Sequence, residues 1–218
     1  MNIKKVIKIT ALFLSIQTIV WVALTALSMS QVQSHWQPLD YIKWVSQPDR
    51  IFVLNYINAL LLTLVVVALF SFLYLFLKEN FETASLAGFI FIPIYGVMNI
   101  VSYGIQISVV PAIAQRSIGS PSMELALQLI QAYPFSLIGF INGLAYGILG
   151  ISSIIFGVLL IKETKKFSGL FLMINGILCI LGVAGYILRN QMLSMGVALG
   201  GVVFLISLVS MVIEFRES

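Results

Sequence analysis

Four uncharged polar side chains recur at helical spacing within a long apolar stretch. Tyr95, Asn99, Ser102 and Gln106 follow one another at intervals of four, three and four residues, which places them on one face of a helix. They donate and accept hydrogen bonds but carry no charge, and in apolar surroundings each must find a partner. The spacing predicts either hydrogen bonds between neighbouring helices or a polar pocket for an uncharged or amphiphilic ligand, and both interpretations are open.

Two further amides lie in other apolar stretches. Asn142 is followed by Tyr146 after four residues, and Asn175 is followed by Cys179 and Tyr186 after four and eleven residues. These intervals also keep the side chains on one helix face, so we expect them to point to the same interior. The candidate ligand-binding residues are therefore Tyr95, Asn99, Ser102, Gln106, Asn142 and Asn175.

Side chains suited to catalysis or metal binding are sparse. His35 is the one histidine and Cys179 the one cysteine, and neither has a set of ligand-type residues around it in the sequence. No G-x-S-x-G, no P-loop and no pair of carboxylates inside an apolar stretch occurs. We expect no enzyme activity, no metal site and no cofactor.

Glycines at intervals of four predict close helix packing. Gly139, Gly143 and Gly147 share one helix face, and Gly196 and Gly200 repeat the spacing later in the chain. Because glycine has no side chain, another helix can approach such a face closely. The approaching helix can belong to the same chain, to a second copy in a homodimer or to a partner membrane protein, and the pattern leaves these alternatives open.

The composition indicates that lipid surrounds the elements carrying these residues. The 218 residues are 60% hydrophobic and 9% charged, whereas soluble domains are roughly 45–50% apolar and about 25% charged. Six stretches contain no Asp, Glu, Lys or Arg, and each meets the length of about 20 residues that spans a bilayer. They are residues 9–28, 52–77, 84–110, 135–161, 167–188 and 192–213. We predict an all-α membrane protein, with residues 1–218 forming a single integral membrane domain built as a bundle of six transmembrane helices.

The distribution of basic residues predicts the orientation in the membrane. Lysine and arginine in short loops favour the cytoplasmic side. With the N-terminus inside, eight basic residues are cytoplasmic, namely Lys4, Lys5, Lys8, Lys78, Lys162, Lys165, Lys166 and Arg216. Four are external, namely Lys43, Arg50, Arg116 and Arg189. We expect a multi-pass protein of the cell membrane with both termini in the cytoplasm, and the scattered basic residues exclude a nucleic-acid-binding stripe.

The first stretch has a second interpretation. A basic start, an apolar run and the small residues of 26–28 also resemble a cleaved signal peptide. Its apolar run is about 20 residues, longer than the usual 7–15 of such peptides. We therefore expect a retained spanning helix.

The connections and one proline predict where the bundle departs from straight helices. Residues 78–83 are predicted to form a short cytoplasmic loop, and 29–51 and 111–134 form longer external connections. Within the second of these, a serine followed by proline and an apolar repeat predict a short interfacial helix over 121–132. Pro93 removes one helical hydrogen bond, so we expect a kink in the third stretch.

The run from Gly96 to Pro111, GVMNIVSYGIQISVVP, resembles a segment of bacterial polytopic membrane proteins known only as domains of unknown function. The resemblance covers the second to fifth stretches and implies a prokaryotic membrane protein of six or seven helices. It implies no activity and no catalytic residues.

Two functions are compatible with these features. The first is a helical bundle that binds or moves a small uncharged or lipid-like molecule through a pocket beside Asn99. The alternative is a non-transporting accessory or sensory subunit whose glycine faces and external loops dock a partner protein. The bilayer is the expected partner in both.

Overall fold

The structure is a computed structural model that describes residues 2–33 and 35–216. Within these ranges the regular elements are helices, and no strand occurs. The helices are α1 (Ile3–Met29), α2 (Pro38–Ser46), α3 (Arg50–Phe89), α4 (Phe91–Ser108), α5 (Val110–Ser117), α6 (Met123–Leu129), α7 (Leu137–Lys162), α8 (Lys166–Ile187), α9 (Gln191–Ser194) and α10 (Gly196–Glu214).

Among the described residues, five segments are long and apolar enough to cross a membrane. They are Ile3–Met29, Arg50–Ser108, Leu137–Lys162, Lys166–Ile187 and Gln191–Glu214. Their outward faces carry large apolar side chains, and Ile9, Phe13 and Ile16 on α1 are each more than half exposed. A surface of this kind is unfavourable in water and fits a lipid environment. The expected all-α fold is confirmed for the described residues, and its long apolar helices are consistent with an integral membrane protein.

The 59-residue segment Arg50–Ser108 folds back on itself. Phe81 leaves helical geometry, with φ −140° and ψ 51°. On either side of it, Tyr74 stacks on Phe89 with ring centroids 4.9 Å apart, and Tyr56 lies 6.1 Å from Tyr103. The residue farther from Phe81 on one side contacts the residue farther from it on the other side. The two halves of the segment therefore run in opposite directions. The loop expected over 78–83 is thus reduced to one non-helical residue, because the helix continues through the polar residues on both sides of Phe81.

A kink is expected at Pro93, and the structure has a helix boundary just before it. α3 ends at Phe89 and α4 begins at Phe91, while Ile90 between them keeps helical angles of φ −58° and ψ −24°. Pro93 offers no N–H to the carbonyl of Phe89 one turn earlier. In the same turn, the Ser152 hydroxyl donates a hydrogen bond of 2.7 Å to the carbonyl of Gly88, which ties this part of the chain to α7.

The long helices close into a ring. α1 packs against α3 and α10, α4 lies between α3 and α7, and α8 lies between α7 and α10. The fully buried Phe70 in the interior contacts Phe156 and Phe204 at centroid distances of 5.5 Å and 6.5 Å. The bundle therefore has its own apolar core as well as its lipid-facing surface.

Glycines bring α7 and α8 into backbone contact. A Cβ atom placed on Gly150 would lie 2.6 Å from the carbonyl oxygen of Gly176, and one on Gly157 would lie 2.7 Å from that of Gly169. Both distances are far below van der Waals contact, and a backbone atom cannot move away as a side chain can. The two pairs are seven residues apart on each helix, so they define one continuous seam.

The five glycines predicted to serve packing all face atoms of this chain. Added Cβ atoms would approach Ser136 Oγ at Gly139 (2.9 Å), the Tyr186 ring at Gly143 (3.3 Å), Val183 Cγ2 at Gly147 (2.6 Å), the Leu178 carbonyl at Gly196 (2.5 Å) and Cys179 Sγ at Gly200 (2.9 Å).

One end of the bundle, which we call the lysine end, gathers the helix termini near residues 3, 80, 162, 166 and 214. The Glu214 carboxylate accepts hydrogen bonds from the backbone N–H groups of Phe167 (3.1 Å) and Ser168 (3.0 Å). These are unpaired donors in the first turn of α8, so Glu214 caps that helix from another one. The Asn80 amide donates to the Glu163 carboxylate at 2.7 Å and joins α3 to α7.

The opposite end, which we call the cap end, is covered by α2, α5 and α6. These short helices form a second apolar core on top of α3 and α4. Tyr41 contacts both Trp36 and Tyr133 edge-to-face at 5.3 Å, which joins the two long connections. Asp49 caps α3, and hydrogen bonds from the Phe52 N–H and the Gln31 amide hold the pKa of its carboxyl below the usual value.

The helix expected over 121–132 is shorter, Met123–Leu129. It begins later because Ser120 and Ser122 form a hydrogen-bonded turn, with 2.6 Å between their hydroxyl oxygens. It ends earlier because Ile130 adopts an extended conformation with ψ 114°. That extended residue places the next backbone N–H, of Gln131, within reach of a side chain of α4.

Candidate functional site

A cavity of about 260 Å³ lies inside the ring, in the half nearer the cap end. Residues from α1, α3, α4, α7, α8 and α10 line it, and Gln131 contributes from the cap. Six aromatic side chains form much of the wall: Trp21, Tyr95, Tyr103, Tyr146, Tyr186 and Phe204. The polar lining residues are uncharged, and no Asp, Glu, Lys or Arg borders the cavity among the described residues. The site therefore offers aromatic faces and neutral hydrogen-bonding groups.

Three of the six candidate ligand-binding residues line this cavity. Tyr95, Asn142 and Asn175 border it, and each is less than one-tenth exposed. The remaining three, Asn99, Ser102 and Gln106, are fully buried but lie behind the wall. The single helix face predicted from spacing is thus divided between the cavity and the contact of α4 with its neighbours.

A chain of amide hydrogen bonds connects the cavity wall to α4. Asn142 Nδ2 donates to Asn99 Oδ1 at 2.8 Å, and Gln131 Nε2 donates to Asn142 Oδ1 at 3.0 Å. Asn99 therefore positions Asn142, and Asn142 positions Gln131. All three hydrogen-bonded side chains are uncharged.

Gln106 fixes the cap above the cavity. Its Nε2 donates to the backbone carbonyl of Leu129 at 2.9 Å, and its Oε1 accepts from the backbone N–H of Gln131 at 3.1 Å. The first bond is made to the last residue of α6 and the second to the segment that follows it. Gln106 thus acts on the cavity through Gln131, whose side chain it holds at the wall.

Three lining residues carry a buried polar atom without a hydrogen-bond partner. They are the Tyr95 hydroxyl, Gln131 Oε1 and Asn175 Oδ1. A buried polar atom left unpaired costs about 1–3 kcal/mol. The three residues that carry these unpaired atoms all border the cavity.

Two tyrosines at the wall pair with each other. The hydroxyls of Tyr103 and Tyr146 are 2.8 Å apart, and the Tyr95 and Tyr146 rings meet edge-to-face with centroids 5.9 Å apart. Since one hydroxyl donates in such a pair, the other keeps its own hydrogen free to donate.

Gln131 and Phe204 are lining residues that sequence reasoning did not select. Gln131 lies near the end of the external helix predicted over 121–132 and is not part of its apolar repeat, and Phe204 is one of many apolar residues in its helix. Trp21 carried a signal, because it follows Gln17 by four residues on α1, but a tryptophan in an apolar helix is common in lipid-facing positions.

No His, Asp or Glu side chain borders the cavity among the described residues. Within the part of the chain that the structure describes, no three His, Cys, Asp or Glu side chains lie close enough to hold a metal ion. Cys179 borders the cavity as a buried thiol that accepts a weak contact of 3.6 Å from Asn175 Nδ2.

Comparison with known proteins found no matching family model, no matching curated protein and no matching solved structure.

Proposed function

We propose that this chain is a multi-pass protein of the cell membrane with six spans and both termini in the cytoplasm. The reversal at Phe81 divides the segment Arg50–Ser108 into two antiparallel halves, which supports six crossings in place of five. The lysine end supports the orientation, because Lys5, Lys8 and Arg216 line one groove there and Lys165 bonds to the Glu214 carbonyl.

Cysteine labelling tests this topology. In a Cys179→Ala background, single cysteines at Ser120 and Thr164 should react with a membrane-impermeant maleimide from opposite sides of intact cells, with position 120 accessible from outside. Labelling of both positions from one side would overturn the six-span arrangement.

We further propose that the protein binds, and through binding moves, a small uncharged or lipid-like molecule. The single observation that carries this proposal is the 260 Å³ cavity, which is bordered by six aromatic residues and by three residues that each have an unpaired polar atom. Ligand pockets in proteins have the same composition, a mostly apolar wall with few polar groups, and begin near 300 Å³.

The absence of charge from the cavity wall supports a neutral ligand. Burial of an ion without a partner costs far more than burial of a neutral polar group. An amphiphile or a small ring compound avoids that cost and gains from contact with the six aromatic side chains.

Two glycines provide a matched test of the cavity. Gly201 lines the cavity, and Gly104 does not, while a Cβ atom at either position would meet no atom within 4 Å. A leucine at either position is therefore free of backbone collision, but only Gly201→Leu fills the cavity. We expect native mass spectrometry of purified protein to show a copurifying neutral molecule that Gly201→Leu loses and Gly104→Leu keeps.

Equal ligand occupancy in the two variants would contradict this function.

An accessory or sensory subunit is the alternative, and it needs a free docking face. The five packing glycines are covered by the chain's own helices, which favours the ligand-binding function. Copurification of a partner protein at fixed stoichiometry, unaffected by Gly201→Leu, would favour the alternative instead.

A further inference from the structure

Asn175 borders the cavity and has one hydrogen-bond acceptor without a partner. Its Nδ2 donates to the backbone carbonyl of Gly200 on α10 at 3.0 Å, and the side chain is 3% exposed. Because a carbonyl accepts only from the amide nitrogen, this bond settles which end of the Asn175 amide is which. Oδ1 is the end that remains, and it has no partner.

An unpaired acceptor selects a ligand that donates. An N–H or O–H group placed against Asn175 Oδ1 would satisfy an atom that is otherwise buried without a bond, whereas a second acceptor there would be repelled. Gln131 Oε1 is a second unpaired acceptor on the same cavity. The donor must be neutral, because no carboxylate lines the cavity to balance a cation.

The surroundings of this acceptor favour a ring. Tyr95, Tyr146 and Phe204 border the same cavity, and Tyr95 and Tyr146 already pack edge-to-face. Aromatic side chains gain from offset or edge-to-face contact with another ring in addition to the area that they bury.

We propose that the cavity takes a neutral ring compound bearing an N–H or O–H donor, and that Asn175 Oδ1 accepts the hydrogen bond that selects it. This inference rests on the proposed ligand-binding function and adds the chemical class of the ligand and the residue that reads it.

Indole and 1-methylindole are the probes that separate the two claims. They share a ring system, but 1-methylindole has no N–H. Binding is measured by isothermal titration calorimetry on the full chain in detergent, with each affinity corrected for partition into protein-free micelles. Because a buried hydrogen bond contributes on the order of 1 kcal/mol, we expect indole to bind about 5- to 10-fold more tightly.

The possible results test the donor requirement separately from the proposed ligand-binding function. Equal corrected affinities, or tighter binding of 1-methylindole, would overturn the donor requirement while leaving the cavity as a binding site. Failure of both probes to bind would overturn the inference together with the proposed function.

Asn175→Ala identifies the residue responsible. We expect it to remove the preference for indole by lowering indole affinity to that of 1-methylindole. Asn58→Ala is the matched control, because the Asn58 amide also bonds to a backbone carbonyl across helices, Gln17 at 3.4 Å, but does not line the cavity. If Asn175→Ala does not fold, the probe pair on the unaltered chain still decides. Retention of the full preference in a folded Asn175→Ala protein would show that another group reads the donor.

Discussion

Thr164 has a backbone conformation that is sterically unfavourable for its β-branched side chain. Its φ of 64° is in the left-handed region, where a β-branched residue is strained. The conformation is required because the turn after α7 closes with two hydrogen bonds, from Lys165 N to the Leu160 carbonyl at 2.8 Å and from Thr164 N to the Ile161 carbonyl at 3.1 Å. This is the Schellman arrangement, whose left-handed position usually holds glycine.

Thr164→Gly is therefore expected to stabilise the protein by about 1 kcal/mol, since glycine adopts this φ without steric cost. Thermal unfolding in detergent measures the change. Thr164→Val is the control and should give no gain, because valine keeps the branched Cβ. A midpoint for Thr164→Gly at or below that of Thr164→Val would contradict the strain assigned to this turn.

Gln106 lies behind the cavity wall and has a structural role. Its two hydrogen bonds to residues 129 and 131 are the attachment of the cap to α4. Gln106→Ala should lower stability by about 1–2 kcal/mol, near the upper end for hydrogen bonds inside membranes. The loss should appear locally, as faster hydrogen exchange over 123–133 with little change over α8. Uniformly faster hydrogen exchange throughout the chain would contradict a local role for these two hydrogen bonds.

At the scale of helices, the α7–α8 seam depends on glycine at particular positions. Gly150 faces the backbone of Gly176, whereas Gly104 on α4 faces open space. Gly150→Ala should reduce the thermal stability strongly because the helices must separate to admit the methyl group. Gly104→Ala should leave it unchanged or raise it by up to about 1 kcal/mol, the helix propensity difference between the two residues. If both variants behave alike, the seam does not limit stability.

Much of the helical architecture could be predicted from the sequence, because lipid imposes a simple length and composition on each span. The helices run beyond the charge-free stretches, as α1 does from Ile3, because helix formation does not stop where charges begin. The reduction of 78–83 to a hinge at Phe81 could not be predicted, since no proline or glycine marks it.

Helical spacing predicted the polar face of α4. It did not predict which residues of that face border the cavity and which contact neighbouring helices. Asn99 and Tyr95 belong to the same face, yet Asn142 reaches Asn99 at 2.8 Å and covers it, while Tyr95 borders the cavity. The contribution of Gln131 depends on Gln106, 25 residues earlier. A single sequence contains no local pattern for such long-range pairs.

At the scale of the molecule, the ring of helices combines an apolar exterior with an interior that holds an apolar core and some uncharged polar side chains. The lysine end is closed by contacts such as Asn80 to Glu163, and the cap end is held by α2, α5 and α6. Between them lies the cavity of about 260 Å³, and the rest of the interior is occupied by packed side chains.

A density map of the purified protein in lipid nanodiscs, at a resolution that separates side chains, tests ligand binding most directly. We expect continuous density of a single small molecule between Tyr95, Asn175 and Phe204, with one polar atom about 3 Å from Asn175 Oδ1. A cavity closed by its own side chains, or one holding only separate water molecules, would contradict the account.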